Sequence, residues 1–222
     1  MEQELFDKIL VMTAKDTFEE EVKKARAVYF EQMTDLREDD PSFDVLTACF
    51  LNWYIFERPM DSGVGTPPQL YAFEEKASAQ EEKLLAAMAA NIYGLFEIVS
   101  IDAKVVLLRD LFTRERLPVQ ERRAVVGLRK RDIIEARLLA IDGRLTFLPG
   151  AFILFPRVAR PYICHAVERA RRGGTPTDFD LIRRLHVLTF RYTDRFRERV
   201  PAAKVFKLLS DVRGMSRMAG TN

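Results

Sequence analysis

The spacing of apolar positions divides the chain into a helical part, a strand-rich part and a second helical part. Between residues 4 and 36, apolar side chains recur every three to five positions, which is typical of one long amphipathic helix. A second helix is predicted from a cap at Ser42 to about Glu57. Another begins at the capping box formed by Ser78 and Glu81. The N-terminal part is therefore expected to be helical.

Near Gly94 the apolar spacing changes to the alternation that is typical of β-strands. In residues 133–141 the even-numbered positions share one face, and Glu135 and Arg137 lie on the other. Asp142-Gly143 is a strong signal for a type I′ hairpin turn. Strands are predicted at residues 95–101, 105–112, 116–123, 133–141, 144–148 and 151–155, enough for a small antiparallel β-barrel of five or six strands.

Helical spacing returns after the prolines at positions 156 and 161, and it continues to about residue 212. The predicted fold class is therefore α+β, with N-terminal helices, a central small barrel and C-terminal helices. The predicted domains are an acidic helical region at 1–92, the barrel at 93–156 and a basic helical region at 157–222.

Charge is divided unevenly along the chain, although the whole protein of 222 residues carries a formal net charge of only +2. Residues 1–100 contain 9 Lys and Arg against 20 Asp and Glu. Residues 101–222 contain 26 Lys and Arg against 13 Asp and Glu. A basic half of this kind attracts polyanions or acidic protein surfaces, unless the acidic half neutralises it within the molecule.

Composition excludes some broad classes of protein. An apolar content of 48% with 31% charged residues is typical of a globular protein. The sequence contains no run of 18 apolar residues, so no membrane span is predicted. The N-terminus is acidic and lacks the basic region of a signal peptide. A cytoplasmic location is therefore expected, with Cys49 and Cys164 as free thiols in an apolar setting.

Five short segments combine aromatic residues with glycines and a basic run. They are residues 50–57, 65–67, 91–97, 108–113 and 128–138. Together, residues 50–150 resemble a region of uncharacterised bacterial proteins that often end in a small cysteine-rich zinc motif of the SEC-C type. That terminal motif is absent from this sequence. The resemblance implies an architecture and no established activity.

Motifs of ordinary enzymes are missing from the sequence. Cys164 and His165 are adjacent and would point about 100° apart on a helix, which is poor geometry for a catalytic dyad. His186 would approach Cys164 only if two helices pack together. The two Cys and two His are too dispersed for the usual zinc spacing, and no phosphate-binding glycine loop occurs. No enzyme activity, cofactor or metal is therefore predicted.

Two functional hypotheses remain. The first is a non-enzymatic cytoplasmic adaptor that acts through protein–protein contacts or self-association, because long amphipathic helices of opposite charge favour assembly. The alternative is a nucleic-acid-binding module, since small barrels with basic loops often bind DNA or RNA strands. Its predicted contact residues are Arg122, Arg123, Arg129, Lys130, Arg131, Arg183 and Arg184.

Overall fold

The computed structural model describes residues 2–33, 35–61, 63, 65–75, 77–120, 127–174, 179–197 and 199–210. The N-terminal helices among them are α1 (Glu2–Thr13), α2 (Glu19–Tyr29), α3 (Phe43–Phe56), α4 (Pro67–Glu74) and α5 (Ala79–Ala89). The prediction of one long helix over residues 4–36 is wrong. Lys15 has an extended backbone, and a 3₁₀ turn, Asp16–Phe18, leads into α2. Asp16 and Thr17 favour such an interruption, because their short polar side chains compete with helical hydrogen bonds.

Two short helices begin with capping boxes. At α5, the Ser78 N–H donates to Glu81 Oε2 at 2.9 Å, and the Glu81 N–H donates to Ser78 Oγ at 3.3 Å, as predicted. At α4, Thr66 and Gln69 form the equivalent pair. Ser42 does not cap α3 with its side chain. Its N–H and its hydroxyl both donate to the Asp194 carboxylate, at 2.9 and 2.8 Å.

The chain then forms a sheet, which confirms the α+β class. Its strands among the described residues are β1 (Ile92–Ile101), β2 (Val105–Asp110), β3 (Arg116–Gln120), β4 (Ile133–Ile141) and β5 (Arg144–Leu154). The strand order is β1-β2-β3-β5-β4, and β4 pairs again with β1, so the sheet closes on itself. We call this unit the closed sheet. The two last predicted strands are a single strand, β5.

The prediction of a purely antiparallel sheet is wrong in one place. β3 and β5 pair in parallel, with Val119 opposite Leu145, whereas the other strand pairs are antiparallel. The physical reason is topological. Strand direction cannot alternate all the way around a ring of five strands, so one neighbouring pair must run the same way.

Two sets of helices pack on the outer surface of the closed sheet, and its interior forms a core of its own. Alternate residues fill its interior, including the predicted Ile134, Ala136 and Leu138, while Ala140 at the strand end is exposed. The hairpin turn has positive φ at both Asp142 (49°) and Gly143 (73°), as a type I′ turn requires. The N-terminal helices pack on the outer face of β4 and β5.

The C-terminal elements are α6 (Arg160–Arg172), α7 (Phe179–Phe190), a π-helical turn (Arg191–Arg195), α8 (Ala202–Phe206) and a 3₁₀ turn (Lys207–Ser210). They pack on outward side chains of the closed sheet, such as Leu95 and Ile133. Val187 and Phe190 of α7 also join the core of the N-terminal helices. Among the described helices, none is long and apolar enough to span a membrane. The division into three domains stays a prediction.

Candidate functional site

The predicted basic run Arg129–Arg131 lies on the connection that enters β4, and all three side chains are exposed. The connection is fixed by hydrogen bonds from its backbone N–H groups. The Arg129 N–H donates to Asp132 Oδ2 at 2.8 Å, and the Arg131 N–H donates to the Ile98 carbonyl at 2.8 Å. Arg131 has a φ of 74°, a left-handed conformation that is uncommon for a non-glycine residue. The three cations are therefore presented on an ordered turn of the backbone.

Further arginines surround this turn. Glu97 on β1 accepts hydrogen bonds from Arg109 on β2 and, at 2.7 Å, from Arg160 at the start of α6. Arg160 Nε also donates to the Arg131 carbonyl at 3.2 Å. Arg157 Nε pairs with Asp132 Oδ1 at 2.6 Å. Directly opposite Arg109, β3 carries an exposed Arg116. We call Arg109, Arg116, Arg129, Lys130, Arg131, Arg157 and Arg160 the basic patch.

The basic patch has more positive charge than its own carboxylates neutralise. Three of its seven cations, Arg109, Arg157 and Arg160, form ion pairs with two acidic residues, Glu97 and Asp132. Seven cations against two carboxylates leave an excess of five positive charges in the patch. In the part of the chain that the structure describes, no carboxylate forms a salt bridge with Arg129, Lys130 or Arg131. Arg157 is about half exposed, with a side-chain exposure of 51%. The patch therefore offers cations to solvent.

The arginines of the basic patch lower the pKa of its two carboxyl groups. Burial raises the pKa of Glu97, but the hydrogen bonds from Arg160 and Arg109 outweigh it, and the net pKa lies below the usual range. The Arg157 guanidinium lowers the pKa of Asp132, against the effect of burial. Both groups are therefore ionised at neutral pH and accept from the surrounding cations.

These lowered pKa values predict a loss of stability in acid. A carboxyl group whose pKa is lower in the folded state stabilises the fold above its unfolded pKa, which is about 4. That stabilisation disappears as the pH falls through the folded pKa. We therefore expect the free energy of unfolding to fall between pH 5 and 2, roughly, in urea titrations, and less steeply in Arg157→Met. A stability that increases on acidification would contradict this assignment.

The other predicted contact residues lie elsewhere or outside the described residues. Arg122 and Arg123 belong to the undescribed segment 121–126, next to the basic patch in sequence. Arg183 on α7 is half-buried, donates to the Val28 carbonyl at 3.0 Å and lies over the rings of Tyr29 and Trp53.

Arg184 is also half-buried, and it donates to the carbonyls of Leu208 and Leu209 at 2.8 and 3.2 Å. Arg183 and Arg184 thus connect α7 to neighbouring segments. We leave both outside the basic patch, and a role for them in nucleic-acid binding stays a prediction.

Outside the basic patch, Arg137 and Arg195 also pair the basic half with carboxylates of the acidic half. Arg137 on β4 reaches Glu57 at 2.8 Å, and Arg195 reaches Asp35 and Asp40 at 2.8 and 2.6 Å. The Arg195 guanidinium lowers the pKa of Asp40 to about 2. The charge asymmetry of the sequence is thus partly neutralised inside the molecule, whereas the basic patch keeps an excess of positive charge.

A second group of polar residues lies between the helices and the outer face of the closed sheet. The group contains Tyr29 of α2, Cys49 of α3, Tyr93 of β1, Glu135 of β4 and His186 of α7. We call these five residues the buried polar cluster. Their exposed fractions are 3% for His186, 6% for Glu135 and 9% for Cys49. These three side chains and Tyr29 are therefore almost completely removed from solvent, and Tyr93 is half-buried.

Hydrogen bonds connect the buried polar cluster. Tyr29 Oη lies 3.0 Å from His186 Nδ1, His186 Nε2 contacts Glu135 Oε2, and Tyr93 Oη donates to Glu135 Oε1 at 2.6 Å. Ligand atoms of Cys49, Glu135 and His186 lie within 4.8 Å of one another. Burial, together with the nearby Glu135 carboxylate, raises the pKa of the Cys49 thiol and of both tyrosines well above their usual values. The thiol is therefore neutral in this environment.

A pocket of about 330 Å³ reaches this cluster from the surface. Tyr29 and His186 form part of its wall, and the exposed Glu31 and Gln32 lie at its outer side. Arg183 and Arg184 also line it. Small solutes can therefore approach His186 although its side chain is almost fully buried.

Sequence reasoning missed this cluster because it compared neighbours in the chain. It considered Cys164 with His165 and with His186, whereas the structure brings Cys49 to His186, which is 137 positions away. Cys164 is half-buried and His165 is exposed. One local signal was available. Glu135 and Arg137 are charged residues at alternate positions of an otherwise apolar strand. The elements that pack on the outer face of β4 therefore had to provide polar partners for them.

Comparison with known proteins places the chain in a family. The model of a family of unknown function, DUF7986, matches residues 2–178. The chain belongs to this family. The DUF7986 match includes the whole basic patch and four members of the buried polar cluster, and it ends before His186.

The remaining comparisons add no assigned activity. No curated protein and no solved structure matches the chain. The expected resemblance to uncharacterised proteins is confirmed at that level by the DUF7986 match. The match says nothing about an SEC-C-type zinc motif or a bacterial origin, so those parts of the resemblance stay predictions.

Proposed function

We propose that this DUF7986 protein binds nucleic acid through the phosphate backbone, using the basic patch on the closed sheet. We interpret the closed sheet as the small barrel expected from the sequence. The observation that carries the proposal is the exposed run Arg129–Lys130–Arg131, held on a hydrogen-bonded turn without salt-bridging carboxylates among the described residues. Neutralisation of phosphates by such cations releases bound counterions, which supplies most of the affinity in non-specific binding.

The geometry of the patch supports phosphate contacts. Its cations come from β2, β3, the turn before β4, the 3₁₀ turn at Arg157–Ala159 and the start of α6, so they are spread over several ordered elements. Arginine presents a planar fork of N–H donors that matches phosphate oxygens. Six of the seven patch residues are arginines. We therefore expect binding that depends on the charge of the strand more than on its base sequence.

The experiment that tests this function measures the affinity of the wild-type chain for fluorescent oligonucleotides over a range of salt concentrations. Single-stranded DNA, single-stranded RNA and duplex DNA of about 20 nucleotides are compared by fluorescence anisotropy. If five phosphates are neutralised, the logarithm of the association constant falls with the logarithm of salt concentration with a slope of about −3.5 for single strands. No binding of any of the three at 50 mM salt would overturn the proposal.

A second candidate function, protein contact through self-association, is favoured by exposed apolar residues on two neighbouring helices. Phe73 on α4 is 80% exposed and Val11 on α1 is 68% exposed. A groove of about 720 Å³ lies between these helices, lined in part by Val11, Met12 and Tyr71. We expect a second copy of the chain to cover this surface.

The test of self-association is light scattering after size-exclusion chromatography over a range of protein concentrations. Phe73→Ser should shift the protein towards the monomer, whereas Val158→Ser, an exposed apolar position next to the basic patch, should not. A wild-type protein that is monomeric at every concentration would remove this candidate.

A further inference from the structure

The buried polar cluster contains three different kinds of metal-binding side chain. The sulfur of Cys49, a carboxylate oxygen of Glu135 and a ring nitrogen of His186 lie within 4.8 Å of one another. They come from α3, β4 and α7, so only the tertiary structure brings them together. Thiolate, carboxylate and imidazole are the groups that bind zinc in proteins.

Each of two ligands is oriented by a tyrosine. Tyr93 Oη donates to Glu135 Oε1 at 2.6 Å, which leaves Oε2 directed at His186 Nε2. Tyr29 Oη lies 3.0 Å from His186 Nδ1 and can accept its N–H. Without metal, Nε2 is engaged in a hydrogen bond with Glu135 Oε2. When Nδ1 carries the proton and donates it to Tyr29 Oη, the Nε2 lone pair becomes available to a metal ion that replaces this hydrogen bond. Partners of this kind fix the orientation and tautomer of metal ligands in known sites.

We propose that Cys49, Glu135 and His186 bind a zinc ion, with Tyr29 and Tyr93 as positioning residues. Ligand atoms at zinc bond lengths of about 2.0–2.3 Å are separated by roughly 3.5 Å in a tetrahedron. Nε2 and Oε2, which contact each other, therefore need to move apart by about 1 Å, and the Cys49 sulfur needs to approach them by a similar distance at most. This site is independent of the proposed binding of nucleic acid, because none of its residues belongs to the basic patch.

Charge and access also fit a metal ion. A thiolate and a carboxylate together neutralise Zn²⁺, so the loaded site adds no net charge to an apolar interior. The neutral Cys49 thiol releases its proton to solvent when the metal binds, since a coordinating thiol is deprotonated. The pocket of about 330 Å³ that reaches His186 and Tyr29 supplies an entry path. A water molecule would complete the fourth coordination position, as in zinc sites with three protein ligands.

Cobalt substitution tests the proposal directly. The full chain, free of affinity tags, is titrated with Co²⁺, and zinc content is measured in parallel by mass spectrometry of the purified protein. We expect one metal per chain and a cobalt–thiolate charge-transfer band in the near ultraviolet. Cys49→Ser should abolish this band, because it replaces the only sulfur ligand of the site.

The chain supplies matched controls for both ligand types. Cys164→Ser and His165→Gln change the other cysteine and the other histidine, and both variants should keep the band and the stoichiometry. Tyr29→Phe keeps all three ligands and should weaken cobalt affinity about 10- to 100-fold. Tyr54→Phe, a change of another buried tyrosine, should not weaken it.

Folding is verified for each variant by circular dichroism, and Tyr29→Phe keeps the proposal testable if Cys49→Ser does not fold. A folded wild-type chain that binds neither metal would overturn the zinc site. A cobalt band that survives in folded Cys49→Ser, or that disappears in Cys164→Ser, would overturn it as well.

Discussion

Arg137→Ala is expected to lower the free energy of unfolding by about 3 kcal/mol, because it removes one partner of a buried ion pair. The Arg137 side chain is only 1% exposed and pairs with Glu57 at 2.8 Å. Its guanidinium lies over the ring of Phe56 at 4.2 Å and over that of Tyr93 at 4.4 Å. It thereby connects the end of α3 to β1 and β4. For a chain of this size, the loss corresponds to a decrease in Tm of about 6–12 °C.

Conservative variants separate the contributions of charge and stacking. Arg137→Lys keeps the charge but loses the planar group between the two rings, so most of the loss should remain. Arg137→Met with Glu57→Gln removes both charges at similar volume and should recover much of the stability. Urea denaturation of all variants measures these differences. A loss below about 0.5 kcal/mol in Arg137→Ala would show that the pair does not hold the helices to the closed sheet.

Combined replacement of Arg129, Lys130 and Arg131 by alanine is expected to reduce nucleic-acid affinity about 100-fold at 0.1 M salt. Each lost phosphate contact removes about 0.7 from the slope of log affinity against log salt for single strands. Three contacts therefore reduce the slope by about 2 in total. The stability of the fold should change little, because the three side chains are exposed and the turn is held by backbone groups. Anisotropy titrations and thermal denaturation measure the two effects.

A matched control removes the same charge from another surface. Lys15, Lys24 and Lys83 are exposed residues of the acidic N-terminal part, and their combined change to alanine also lowers the net charge by three. This control should keep the salt slope of the wild type. Equal losses of affinity in the two triple variants would show that net charge alone, and not the basic patch, attracts the nucleic acid.

Much of the fold was predictable because its signals are local. The Ser78–Glu81 capping box, the Asp142-Gly143 turn and the alternation in β4 each depend on residues within a few positions of one another. Predictions were wrong where a residue far away in the chain takes the hydrogen bond that a near neighbour was expected to make. Ser42 was expected to cap α3, but Asp194, 152 positions away, accepts both its N–H and its hydroxyl. Likewise, the parallel pairing of β3 with β5 follows from ring closure and has no local signal.

By itself, the sequence determined the helix–sheet–helix order, the class of fold and the position of the basic run at residues 129–131. Periodicity, caps and turns fix these features through interactions between near neighbours. Only the tertiary structure decided which charges stay free and which are paired, as Arg195 with Asp40 shows. It also decided that Cys49, Glu135 and His186 meet. Such contacts depend on how the helices pack against the closed sheet. That packing brings together residues that are far apart in the chain, and local sequence patterns do not show which ones will meet.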